Sequence, residues 1–142
     1  MMKYLLVVAP MLALTAICLT EVAASAAPGG VITIDSAHLT GKAKGKKDGA
    51  SNQAEFTVTY TCTSSSPVNI DVSMKGGPHG NTEAKCDGDS HTVTFPSKVR
   101  PGEPTITCPT NYSVNASFTD EDDVDLEDGF GHEYRQMLVR CA

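Results

Sequence analysis

The sequence predicts an all-β domain built as an antiparallel sandwich, and three features of its 142 residues lead to this prediction. Apolar and polar residues alternate with a period of two, as in strands with one buried face, and helical periodicity is missing after the first 26 residues. Segments rich in Gly, Pro, Asn, Asp and Ser separate the alternating runs. Four cysteines follow the N-terminal segment, and an even number favours disulfide bonds.

The N-terminal segment, residues 1–26, has the three parts of a secretory signal peptide. Lys3 provides a positive charge, residues 5–20 are mostly apolar, and Ala24-Ser25-Ala26 is a small-residue cleavage motif. We therefore expect a secreted protein whose single domain spans residues 27–142. No later stretch is long and apolar enough to serve as a membrane anchor.

Each strand is predicted from its own alternation. The strongest runs are residues 54–63, 68–76, 111–119 and 133–142, and weaker ones are 31–40, 83–86, 91–95 and 105–108. About seven short antiparallel strands separated by turns favour an immunoglobulin-like sandwich. The chain has no Trp, so it lacks the buried Trp of true immunoglobulin domains.

The four cysteines of the predicted domain are Cys62, Cys86, Cys108 and Cys141. Three pairings are possible in principle. The strand layout favours a local bridge from Cys62, at the end of one strand, to Cys86, which follows the next hairpin. Cys108 and Cys141 would then tie the last third of the chain to the final strand.

Two fragments, Thr59-Tyr60-Thr61-Cys62 and Cys86-Asp87-Gly88-Asp89-Ser90-His91, resemble the TYxC…CDGxxH signature of a family of small exported actinobacterial proteins without an assigned function. The resemblance covers roughly residues 31–95. It implies a small β-sandwich and the Cys62–Cys86 bridge, and it implies no activity. A Lys-rich loop, an acidic segment and a second cysteine pair depart from the family pattern.

Composition restricts the classes of function. Removing residues 1–26 leaves ten Lys and Arg against 16 Asp and Glu, a net charge of −6, which disfavours a nucleic-acid-binding protein. No Gly-x-Ser-x-Gly elbow and no phosphate-binding glycine loop is present. We expect neither an enzyme nor a cofactor.

Residues 120–128 carry seven carboxylates in nine positions. Their spacing does not match the EF-hand loop, which needs Gly at position 6 and Glu at position 12. A different calcium site is a weaker hypothesis, and its candidate ligands are Asp122, Asp123, Asp125 and Asp128. A hydrated, flexible loop is the simpler interpretation.

Four lysines, Lys42, Lys44, Lys46 and Lys47, form the opposite charge cluster. In an immunoglobulin-like topology they lie in the connection between the first two main strands, at the end opposite the acidic segment. The lysines are candidate binding residues for a polyanion, and the acidic segment is the corresponding candidate for a basic protein. Simple solubility of both loops is the alternative. Asn111 and Asn115 are glycosylation acceptors in a eukaryotic host and surface residues otherwise.

These observations predict a secreted, non-catalytic binding or interaction module, expected to be a monomer. Its partner would be an unknown protein or a cell-surface polymer, with no nucleic acid involved. Two alternatives are a small secreted enzyme inhibitor or effector, and a calcium-dependent adhesion module that uses the acidic segment.

Overall fold

The computed structural model describes residues 27–142, so the predicted signal peptide lies outside the described residues. The described chain forms nine strands, and one short 3-10 helix at Gly41–Ala43. The strands are β1 (Gly29–Leu39), β2 (Gly49–Ser51), β3 (Ala54–Thr63), β4 (Asn69–Met74), β5 (His79–Glu83), β6 (Asp87–Pro96), β7 (Ile106–Cys108), β8 (Thr110–Thr119) and β9 (Glu133–Cys141).

The strands build two layers. Seven strands form one hydrogen-bonded sheet in the order β5-β4-β8-β9-β1-β3-β6, and this sheet folds over at the β9–β1 junction so that β3 and β8 pack face to face. A short parallel pairing of β1 with β9, at His38↔Arg140 and Leu39↔Cys141, joins the layers along one edge. All other strand pairs are antiparallel, and the β2–β7 pair forms a small separate sheet. This is the predicted immunoglobulin-like sandwich.

The core lies between the layers and follows the alternation of the sequence. Phe56, Val58, Tyr60 and Cys62 of β3 are buried, while the intervening threonines are more exposed, because successive side chains of a strand point to opposite faces. Opposite them, β8 contributes Phe118, whose ring centroid is 6.4 Å from that of Tyr60. The buried aromatic rings therefore connect the two layers.

Side chains complete the edge where β1 meets β9. β1 has a bulge between Ile34 and Ser36, and at Ile34, where β1 does not pair with β9, two side chains of β9 hydrogen-bond to the β1 backbone. The Ile34 amide donates to Glu133 Oε2 at 2.6 Å, and Arg135 Nη1 donates to the Ile34 carbonyl at 3.2 Å. Glu133 and Arg135 thus satisfy backbone groups that a continuous strand pair would otherwise satisfy.

Both disulfides pair as the strand layout predicted. Cys62 bonds to Cys86, with Cα atoms 4.5 Å apart, and Cys108 bonds to Cys141, with Cα atoms 5.3 Å apart. Both separations lie in the range that a disulfide bond requires. Two disulfides fit an oxidising, extracellular environment. Residues 27–142 contain no helix with the length and apolar character needed to span a membrane.

Two short strands differ from the sequence prediction. The strand expected at 83–86 lies at His79–Glu83, because Gly77 closes a tight hairpin with Met74 and starts the pairing earlier. β2 lies in a segment that the sequence analysis assigned to turns. Its residues, Gly-Ala-Ser, carry no alternation, and they become a strand only through pairing with β7.

Candidate functional site

The predicted lysine cluster lies on the loop that follows β1. All four side chains are exposed: Lys42, Lys44, Lys46 and Lys47. Ala43, between the first two, is fully buried and packs in the core. The two close contacts between charged side chains in residues 27–142 both involve Asp87, so none of these lysines has a carboxylate oxygen within 4.0 Å there.

The loop is anchored at both of its ends. The Gly45 amide donates to the Ala142 carbonyl, and the Ala142 amide donates to the Leu39 carbonyl at 2.8 Å. On the far side of the loop, Gly49 pairs with Cys108, which is bonded to Cys141. The small β2–β7 sheet and the second disulfide therefore hold the lysines on a fixed backbone.

Four further cations, which the sequence analysis missed, lie at the same end of the sandwich. They are Lys75, Lys98, Arg100 and Arg140. The pairs Leu39↔Cys141, Glu55↔Pro96 and His79↔Lys98 bring together the ends of β1, β9, β3, β6 and β5. Lys75 follows β4, whose Ser73 pairs with His79. We call these eight residues the basic tip, and they include eight of the ten Lys and Arg residues of 27–142.

Arg100 is held in place within the basic tip. Its Nη2 lies 2.8 Å from Nε2 of His79, and because a guanidinium only donates, the imidazole nitrogen accepts this bond. The Lys98 amide donates to the His79 carbonyl at 2.8 Å. A groove of about 380 Å³, lined in part by Lys44, Gln53 and Glu55, opens at the same end of the molecule.

The acidic residues gather at the opposite end. Residues 120–128 follow β8, and Glu83, Asp87 and Asp89 lie nearby at the ends of β5 and β6. We call these ten carboxylate residues the acidic tip. β1 begins beside it, with Gly30 bridging Phe130, and its eleven residues end beside the basic tip, roughly 30 to 35 Å away. The predicted separation of the two charge clusters is therefore confirmed.

The acidic segment forms a hydrogen-bonded turn whose side chains are mostly exposed. Asp120 Oδ1 accepts hydrogen bonds from the amides of Asp122, at 2.8 Å, and Val124, at 3.0 Å. Asp123 adopts a left-handed conformation with φ 59°, which Asp tolerates better than most residues. A capping carboxylate and a left-handed residue give the segment a defined path.

The candidate calcium ligands are not brought together. Asp125 Oδ1 accepts a hydrogen bond of 3.1 Å from Ser117, on the outer face of β8. Within residues 27–142, no three Asp, Glu, His or Cys side chains, Asp122, Asp123 and Asp128 included, are grouped so that they could hold a metal ion. Calcium binding therefore stays a prediction that no contact supports.

Asp87 accepts two hydrogen bonds at the acidic tip. The His91 ring nitrogen lies 2.7 Å from Asp87 Oδ1, and the Asp89 amide donates to the same oxygen at 3.0 Å. These two hydrogen bonds hold the pKa of the Asp87 carboxyl below its ordinary value of 3.8. The carboxylate stays charged well into the acidic range.

Asp71, half-buried on β4, provides a testable pH dependence. Burial raises its pKa above 3.8, and the carboxylates of Asp123 and Asp125 raise it further, while His79 and Lys98 act in the opposite direction. A raised pKa means that the folded state favours the protonated carboxyl, so this contribution to stability is complete below pH 3.8 and is lost as the pH rises through the raised pKa.

Asp71→Asn should therefore stabilise the fold at pH 7, with the gain shrinking towards pH 3. Urea unfolding at the two pH values measures the effect. Asp122→Asn removes the same charge from an exposed position and serves as the control. Equal gains at both pH values would show that the carboxyl of Asp71 is not the cause.

Asn111 and Asn115, the two glycosylation acceptors, lie on the outer face of β8. Asn111 is exposed and pairs with Leu138, and Asn115 pairs with Tyr134 of β9. Tyr134 and Leu138 are exposed as well. Asn115 is partly buried, and glycosylation at either position stays a prediction.

Fold and charge distribution together define a class of protein, a disulfide-bonded immunoglobulin-like sandwich with opposite charges at its two ends. No protein-family model, curated protein or solved structure matches the chain. The resemblance to small exported proteins therefore stays a prediction, and the functional interpretation depends on geometry and chemistry.

Proposed function

We propose that this protein is a secreted, non-catalytic binding module that attaches through its basic tip to a polyanionic cell-surface polymer. The observation that carries the proposal is the convergence of eight cations from four separate parts of the chain at one end of a rigid sandwich. Four of them, the loop lysines, are exposed and lack ion-pair partners within residues 27–142.

The anchoring of the loop supports this function. Binding to a polymer costs less conformational entropy when the cations already have a fixed backbone. The Cys108–Cys141 disulfide and the β2–β7 sheet provide that backbone. The spread of charges over one end suits a ligand with repeated anionic groups, because several weak contacts then act together.

Export is part of the proposal. The N-terminal residues 1–26 have the composition of a signal peptide, and the two disulfides suit an extracellular compartment. A polyanionic polymer at a cell surface is a partner that such a protein meets.

Binding to soluble polyphosphate tests the proposal. Replacing Lys42, Lys44, Lys46 and Lys47 with Gln removes four exposed contacts of about 0.5 kcal/mol each, so Kd should rise roughly thirtyfold at low salt. Titration of the protein with polyphosphate measures Kd, and raising the salt concentration should weaken the wild type by screening.

The control for the lysine variant is a variant with four neutralised charges at the acidic tip. Replacing Glu121, Asp122, Glu127 and Asp128 with their amides should leave the Kd for polyphosphate the same or lower it. Unchanged affinity of the lysine variant would refute attachment through the basic tip.

The two alternatives from the sequence stay predictions. An inhibitor would use a rigid loop such as the one around Cys108-Pro109, and an adhesion module would bind calcium at residues 120–128. No contact within residues 27–142 favours either of them. Inhibition assays against a panel of proteases test the first alternative, and calorimetric titration with calcium tests the second.

A further inference from the structure

The acidic tip contains a groove with an apolar floor. The groove has a volume of about 480 Å³, within the range of ligand-binding clefts. It is lined by three apolar residues, Val124, Leu126 and Phe130, and by three acidic residues, Asp125, Glu127 and Asp128.

The floor of the groove is part of the core, so the groove is preformed. Phe130 is 8% exposed, and its ring centroid lies 5.3 Å from that of Phe118. The Leu126 amide donates to the Phe118 carbonyl at 2.9 Å. A preformed groove lowers the entropic cost of binding.

Glycines next to the groove let its segment approach β1 closely. The Gly30 amide donates to the Gly129 carbonyl at 3.0 Å. Gly129 has φ 80°, a left-handed conformation, and a Cβ added to Gly29 would lie 2.7 Å from the Gly129 carbonyl oxygen. The close approach of the two segments therefore requires glycine at these positions.

The chemistry of the lining selects the ligand. Lysine and arginine side chains combine an apolar stem with a cationic head, and they cover apolar surface while the head stays near water or an anion. Val124, 58% exposed, and the half-buried Leu126 offer the apolar surface. Glu127 and Asp128 are exposed and offer the charge, whereas Asp125 already accepts a hydrogen bond from Ser117.

We propose that this groove binds a lysine- or arginine-bearing segment of a basic partner protein. Charge complementarity identifies the occupant, because the ten carboxylates of the acidic tip attract cations and repel anions. The groove lies at the opposite end from the basic tip. A polyanionic surface and a basic protein can therefore be bound at the same time, and the module would link them.

The test uses residues 27–142 and a synthetic hexapeptide in which Lys alternates with Gly. Combining Glu127→Gln with Asp128→Asn should raise the Kd for this peptide roughly tenfold. Val124→Ser, at an exposed position that does not endanger the fold, should raise the Kd several-fold as well. Isothermal titration at physiological salt measures both.

The control removes equal charge from the same segment outside the groove. Combining Glu121→Gln with Asp122→Asn should change the Kd for the peptide less than about twofold, because neither side chain lines the groove. Equal weakening by both double variants would overturn the proposal in favour of a diffuse electrostatic field, and unchanged affinity in both would overturn it outright.

Two further measurements separate this proposal from others. The Glu127→Gln, Asp128→Asn variant should bind polyphosphate with the same or higher affinity than the wild type. Loss of peptide binding in the groove is therefore distinguishable from loss of polyphosphate binding at the basic tip. Sedimentation of the protein alone should show a monomer. A salt-sensitive dimer that this variant abolishes would assign the groove to a second copy of the chain and overturn the partner-protein assignment.

Discussion

Phe118→Ala should lower the free energy of unfolding by about 3 to 5 kcal/mol, the range for a phenylalanine removed from a packed core. Phe118 is fully buried, and its ring lies between the ring of Phe130, at 5.3 Å, and that of Tyr60, at 6.4 Å. It also touches the backbone of β1, because a Cβ on Gly30 would lie 2.9 Å from the ring.

The cavity left by this change cannot collapse easily. The residues that surround the cavity belong to β3, to β1 and to the segment before β9. A disulfide and several backbone hydrogen bonds keep these segments in position. Denaturant unfolding measures the loss. Tyr134→Ala removes a comparable ring that is 72% exposed and should change stability by less than about 0.5 kcal/mol. A loss below 1 kcal/mol for Phe118→Ala would contradict the packing described here.

The second large effect is expected from the disulfide at the basic tip. Replacing Cys108 and Cys141 with Ser opens a bridge with a sequence separation of 33 residues. In the chain-entropy model, a loop of this length stabilises the folded state by about 3 to 4 kcal/mol. Thermal or denaturant unfolding of the oxidised wild type and of the variant measures the difference.

The other disulfide provides a matched control. Cys62–Cys86 has a sequence separation of 24 residues, so the Cys62→Ser, Cys86→Ser variant should lose a similar free energy. The proposed function separates the two variants, because only Cys108 pairs with the end of the lysine loop. Under conditions where both variants are folded, polyphosphate affinity should fall for the Cys108 and Cys141 variant alone. An equal fall in both would contradict the anchoring role.

Local alternation predicted much of the fold. β3 begins and ends where its pattern of apolar residues and threonines does, and the inward residues of β4 and β8 follow the same rule. β2 could not be predicted, because Gly-Ala-Ser lacks a pattern and forms a strand only beside β7. The position of β5 also escaped prediction, because its polar edge residues resemble a turn.

The candidate sites divide in the same way. The lysine loop and the acidic segment are visible as runs of like charge. Lys75, Lys98, Arg100 and Arg140 are isolated in the sequence, and only strand pairing shows that they share an end with the lysine loop. Successive connections of an antiparallel sandwich alternate between its two ends. Counting the predicted connections was therefore the one way to place these four residues at the same end as the lysines from the sequence.

The sequence by itself determined the buried faces of β3 and β4, the number of cysteines available for disulfides and the positions of the charge runs. These are local properties, because the backbone geometry of a strand sends neighbouring side chains to opposite faces. Only the tertiary structure decided which strands are neighbours, that Glu133 and Arg135 complete the β1 edge, and that apolar residues floor a groove at the acidic tip. These depend on pairing between distant segments, where each strand has several possible partners and the packed core selects among them.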